Sequence, residues 1–155
     1  MPHIPYFALV VVASTLTVAC NPREMPGIKQ LGRREEARIT RETDEAIKTS
    51  PVLQQLNELC TRKIPLPDGF VLANKARSVN EPIFLSYGYR ASIDYETVKR
   101  FYLDYLPKQG WQLTEQKDGG WGPSRLTFHR KDFKVIINDK QYGDDALYFI
   151  ECVKL

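Results

Sequence analysis

Between Ile83 and Glu115 the apolar and polar positions change period twice. Over IFLSYGYRA, Ile83, Leu85, Tyr87 and Tyr89 alternate with Phe84, Ser86 and Gly88, the repeat of a strand whose heavier set faces a core. Over SIDYETVKRFYLDYLPKQG the apolar residues fall at Tyr95, Val98, Phe101, Tyr102, Tyr105 and Leu106, spacings that place them on one face of a helix. Glu96, Lys99, Arg100 and Asp104 take the opposite, solvated face. Asp94 is the expected N-cap, with Ser92 as the alternative, because a short side-chain oxygen there can accept from the free N–H groups of the first turn. Pro107 and Gly110 predict that the helix ends near Leu106, and Trp111 then opens a further strand, WQLTE. An amphipathic helix flanked by strands predicts a sheet with the helix laid across one face.

The rest of the chain supplies the partners. Ser50-Pro51 is a helix start, and Val52, Leu53, Leu56, Leu59 and Cys60 mark the buried face of a short helix running to about Arg62. The extended IPLPDG leads into a strand over Phe70–Ala76, which Asn80-Glu81-Pro82 turns back. After the main helix come Trp111–Gln116, the glycine-rich loop KDGGWGPS and Arg125–Arg130. Lys131-Asp132 is read as a tight reversal into Phe133–Asn138, DKQYGDD as another turn, and Ala146–Leu155 closes the sheet. The expected fold is α+β: an antiparallel sheet of about five strands with one main helix packed on a face (ββαβββ), preceded by a short helix. Upstream, LGRREEARITRETDEAIK is rich in helix formers, but only Leu31, Ile39 and Ile47 are bulky. It is therefore read as a solvated, marginal helix or a disordered stalk.

Composition changes the picture at the N-terminus. Residues 4–19, IPYFALVVVASTLTVA, carry no charge and are short for a membrane span but right for the core of a signal peptide. At its end, Leu16-Thr17-Val18-Ala19-Cys20 resembles the lipobox of bacterial lipoproteins. The resemblance implies cleavage before Cys20, lipidation of that thiol and a membrane anchor. In such lipoproteins a residue other than Asp after the cysteine, here Asn21, implies the outer membrane, facing the periplasm, when the cell has two membranes. A plain secretory leader cleaved after Ala19 and a retained anchor are the other readings of the same stretch. The organisation expected is thus a signal peptide at 1–19, a tether and charged helix at 20–49, and one α+β domain at 50–155. The pattern DYETVKRFYLDYLPKQGW also resembles one found in small bacterial envelope proteins; it carries no activity with it.

With 22 Lys and Arg against 19 Asp and Glu, the net charge of +3 is too small, and too little clustered, to point to nucleic acid. Once Cys20 is lipidated, Cys60 and Cys152 remain in an oxidising compartment, and a disulfide between them is expected. Neither has the neighbouring base of a catalytic thiol. His129 is the one histidine outside the leader and is placed at the surface, which leaves neither a two-histidine metal site nor a natural triad. Asp94 and Glu96 are read as helix cap and helix surface, and Asp139, Asp144 and Asp145 as turn residues without the spacing of a calcium loop. No cofactor or metal is expected. Trp121, set among Gly119, Gly120, Gly122 and Pro123, is the aromatic residue that no strand pattern demands, and it is the leading candidate for a binding contact, with Tyr142 next.

These features lead to an expectation of a monomeric envelope lipoprotein. It is anchored by lipid on Cys20, lacks catalysis, and binds an envelope protein or glycan as an accessory or assembly domain. The alternative is a small cell-wall hydrolase using carboxylates brought together by folding. An immunity-type role finds little support in the near-balanced charge.

Overall fold

The computed structural model describes residues 26–119, 123–142 and 145–155, the side chains of 26–31, 140–142 and 145 excepted. The leader, Cys20, Trp121 and the Tyr142 side chain lie outside the described residues. Among the described residues three α-helices form: α1 (Pro26–Thr49), α2 (Pro51–Glu58) and α3 (Tyr95–Lys108). Six strands form as well: β1 (Val71–Ser78), β2 (Phe84–Ala91), β3 (Gln112–Lys117), β4 (Arg125–Arg130), β5 (Phe133–Tyr142) and β6 (Asp145–Lys154). All pair antiparallel in one sheet ordered β1-β2-β6-β5-β4-β3.

The fold is α+β with a helical layer on one face of an antiparallel sheet, as expected, but each of the four segments after α3 is a strand of its own. The order is therefore ββαββββ, and the sheet has six strands rather than about five. The tight turn at Lys131-Asp132 lets β4 and β5 pair directly, from Arg130 opposite Phe133 onward. The β5–β6 hairpin runs further than DKQYGDD suggested, because pairing continues to Tyr142 opposite Asp145; Tyr142 thus stands at a strand end.

Register decides which side chains share a face. Leu85, Cys152, Val135 and Phe128 lie opposite one another across β2, β6, β5 and β4, and Tyr87, Ile150, Ile137 and Leu126 form the next row. All eight are buried. They meet Leu53 and Leu56 of α2 and Val98, Tyr102 and Leu106 of α3 in one core. Burial of such side chains, at roughly 1.5–3 kcal/mol each, is the main driving force of the fold. The opposite face carries Ser86, Glu151, Ile136 and Thr127 in register, a mixed row facing away from the helices. On that face Gly88 is closely covered, since a β-carbon there would press on the Asn74 side-chain amide and the Phe149 ring.

The helix ends follow their residues. Ser50 Oγ accepts from the Leu53 N–H at 3.4 Å, with Pro51 at the first helical position. Asp94 accepts from the Thr97 N–H at 2.8 Å. The C-terminus of α3 departs from expectation, because Pro107 is accommodated inside the last turn and the helix continues to Lys108. Two bonds close it: the Trp111 N–H donates to Leu106 O at 3.1 Å and the Gly110 N–H to Pro107 O at 3.0 Å. This is the Schellman arrangement, made possible by the positive φ of +81° at Gly110.

Helix α1 also departs from expectation. It is neither solvated all round nor a stalk, since its C-terminal half docks on the β1 edge. Thr43 is 0% exposed, the Lys75 N–H donates to Thr40 Oγ1 at 3.1 Å, and Lys75 Nζ lies 2.7 Å from Asp44. Small polar residues make the bonds to β1, while Ala46 and Ile47 are the apolar residues of this helix end that pack against the core, too few to announce the docking as a periodic stripe. No helix among the described residues is long and apolar enough to cross a membrane.

Candidate functional site

Beyond Glu58, the short helix α2 does not stop but widens into a single π-helical turn, Leu59–Lys63, closed by the Ile64 N–H donating to Leu59 O at 3.0 Å. Such turns occur often at functional sites. This one is pinned to the sheet by a disulfide between Cys60 and Cys152, with the sulfurs 2.04 Å and the α-carbons 6.0 Å apart. Facing it across the end of the sheet is the β4–β5 turn, where Lys131 takes a left-handed φ of +53°. A non-glycine residue in that region is uncommon.

A pocket of about 330 Å³ lies between these two irregular pieces of backbone. Its apolar lining comes from Leu59, Trp111 and Phe133, and Gln55 and Glu58 of α2 close one side. Lys63, Arg130 and Lys131 supply cations around the mouth. Trp111 is only 4% exposed, because the cap of α3 turns the chain inward at that residue. The Arg130 guanidinium stands 6.0 Å from the Trp111 ring centroid, and Lys154 Nζ stands 4.7 Å from that of Phe133 while pairing with Asp132 at 3.1 Å. Lys63 has a long contact to Glu58, 3.7 Å. Among the described residues Arg130 and Lys131 make no ion pair, so the mouth keeps a net positive charge. Its volume falls at the lower end of the range for small-molecule sites, which are typically apolar with a few convergent polar groups.

A second depression, about 940 Å³ and widely open, separates α1 from the β1–β2 edge. Half of its charged residues pair locally, Asp44 with Lys75 and Glu45 with Lys48 at 2.7 Å, while Arg33, Glu36, Arg41 and Arg90 make no ion pair among the described residues. It offers a polar groove and lacks an aromatic floor.

Among the residues singled out from sequence, Cys60 and Cys152 are brought together as a disulfide. Asp94 is engaged as the cap of α3; the Thr97 backbone N–H, and then its hydroxyl, hold the carboxyl below the usual range. Glu96 lies 3.0 Å from Lys99, which also reaches Asp118 at 2.7 Å. His129 is half-buried on β4, in register with Lys134 and Gln112. The carboxyl of Glu151, on the sheet face away from the helices, is raised by burial although it accepts from Asn138 Nδ2 at 3.1 Å. Glu115 shares that face three strands away, about 14 Å by strand spacing, too far for two carboxylates to act on one bond. Glu115 itself is held low by Lys117 and by the Thr127 hydroxyl. Among the described residues no cluster of three or more His, Cys, Asp or Glu could hold a metal ion.

Trp111, Phe133, Arg130 and Lys131 were not legible as site residues. The first two fit core patterns and the last two a hairpin end, and the partner wall lies some seventy residues earlier in the chain. The only sequence signal was the basic pair Arg130-Lys131 standing beside a large aromatic residue. Comparison of the chain with family models, with curated proteins and with solved structures finds no match in any of the three.

Proposed function

We propose that this protein is an envelope lipoprotein, lipidated on Cys20, whose α+β domain binds a small ligand or a ligand group on an envelope component without transforming it. The observation that carries the reading is the pocket between the π-helical turn and the β4–β5 turn. It has an apolar interior and unneutralised cations at the mouth, and one wall is fixed by a covalent bond. A rigid wall lowers the ordering cost of binding, which is how a small site gains affinity. The carboxylates argue for binding over hydrolysis: Asp94 is spent on a helix cap, Glu96 and Glu115 are ion-paired, and Glu151 stands apart on the far face. Asn21 after the lipidated cysteine favours the outer membrane, facing the periplasm, in a double-membraned cell.

Hydrogen–deuterium exchange of the mature protein, with and without solubilised envelope extract, tests the binding half. Slowed exchange confined to 55–63 and 130–133, with no component of the extract consumed, supports it. Protection elsewhere, or turnover of an envelope component, contradicts it. The anchor is tested by mass spectrometry of the mature N-terminus, where a diacylglyceryl mass on Cys20 is expected and an unmodified Met1 contradicts the assignment.

A further inference from the structure

The geometry points to a small amphipathic carboxylate as the ligand class of the pocket lined by Trp111, Phe133 and Arg130. This rests on the reading of that pocket as the binding site and goes on to say what it takes. Charge complementarity is the first argument: Lys63, Arg130 and Lys131 stand against Glu58 alone, and the two unpaired cations both come from the β4–β5 turn. An anion entering there meets positive charge already in place and displaces no internal partner. The second argument is the layout. Of the lining residues, Trp111 is buried and Leu59 and Phe133 half-buried, whereas Lys63, Arg130 and Lys131 are exposed, so a matching ligand has an apolar body and an anionic end.

The third argument concerns the shape of the anion. Arg130 stands 6.0 Å from the Trp111 ring centroid, at the outer reach of a cation–π contact, and so belongs to the same side of the pocket as the indole. A guanidinium is planar and presents paired N–H donors that match the two oxygens of a carboxylate, whereas lysine offers only a point charge. Glu58 guards the Gln55 side of the mouth and disfavours a second negative charge on the ligand. A singly charged carboxylate therefore fits better than a phosphate monoester.

The test uses the oxidised mature protein carrying Trp121→Phe, in which Trp111 is the one remaining tryptophan. Its fluorescence is titrated with phenylacetate, 2-phenylethanol, acetate and phenyl phosphate. Phenylacetate is expected to bind about tenfold or more tighter than either 2-phenylethanol or acetate, the span of one hydrogen-bonded charge contact. Its affinity is expected to fall as salt is raised. Arg130→Gln, at an exposed position, is expected to bring phenylacetate down to the level of 2-phenylethanol and leave 2-phenylethanol unchanged, with an unaltered thermal midpoint. Equal binding of phenylacetate and 2-phenylethanol overturns the carboxylate and leaves the pocket as an apolar binding site. Tighter binding of phenyl phosphate overturns it in favour of a phosphate. Failure of every probe to perturb Trp111 overturns both the ligand class and the pocket as the site.

Discussion

The hydroxyl of Tyr102 donates to the carbonyl of Pro65 at 3.0 Å, joining the buried middle of α3 to the extended chain that leaves the π-helical turn. Tyr102 is 0% exposed, and burial drives its phenol pKa upward. The same side chain therefore fills the core and, through its one polar atom, fixes the exit of the segment that carries the pocket wall. Tyr102→Phe keeps the ring and removes the bond, so it is expected to cost about 1–2 kcal/mol, the usual penalty for orphaning a buried partner. Denaturant unfolding measures it, and an unchanged midpoint would show that Pro65 finds another donor.

The bridge between Cys60 and Cys152 closes a loop spanning 92 residues. In the chain-entropy description a closure of that length stabilises the native state by about 4.5 kcal/mol. Reduction, or replacement of both cysteines by alanine, is expected to lower the guanidinium midpoint accordingly. It should also raise hydrogen exchange most in 59–64, where the π-helical turn loses its attachment to β6. Uniform loosening would mean that the bridge acts on the unfolded chain alone.

The seam between α1 and β1 rests on small polar contacts. Thr40→Val retains shape and branching but removes the acceptor for the Lys75 N–H, an edge-strand donor. A loss of about 0.5–1 kcal/mol is expected, together with faster exchange at the Lys75 amide specifically. Unaltered exchange there would indicate that α1 does not protect the edge in solution.

Glu151 gives a pH dependence of defined sign. Burial raises its folded-state pKa above the ordinary 4.5, so the native state holds that proton more tightly than the unfolded chain does. The associated stability is complete below about pH 4.5 and is lost as pH rises through the raised value. Glu151→Gln removes the buried charge and keeps an acceptor for Asn138. The variant is expected to be more stable than the parent near neutrality, with the difference shrinking as the solution is acidified. A variant that is less stable at neutral pH, by a margin that grows with pH, would mean that attraction to Arg125 and Lys134 outweighs desolvation.

How much of this was legible in the sequence differs by kind of signal. The period of α3 and the alternation of β2 were readable because large side chains repeat there at the spacing their backbone imposes, and Asp94 and Ser50 announced their caps by residue type. The docking of α1 was not readable, since Thr40 and Asp44 act through single bonds to Lys75 of β1, and the buried Thr43 turns its hydroxyl back to the Ile39 carbonyl of its own helix. Pro107 misplaced the end of α3 because the Schellman closure at Gly110 satisfies the carbonyls that a proline break would leave open. The disulfide was inferable from the cysteine count together with the expectation of export, but its place beside the turn that supplies Leu59 and Lys63 to the pocket was not. The pocket joins α2 to a hairpin that follows it by about seventy residues, and no local pattern encodes that meeting.

The central claim is the location of the binding site, and a fragment screen read by amide and indole NMR shifts on the oxidised mature protein tests it most directly. The account predicts that hits cluster on the Trp111 indole and on the amides of Leu59, Lys63 and Lys131. Hits gathered in the groove between α1 and β1, or on the sheet face bearing Ser86, Thr127 and Asn138, would contradict it.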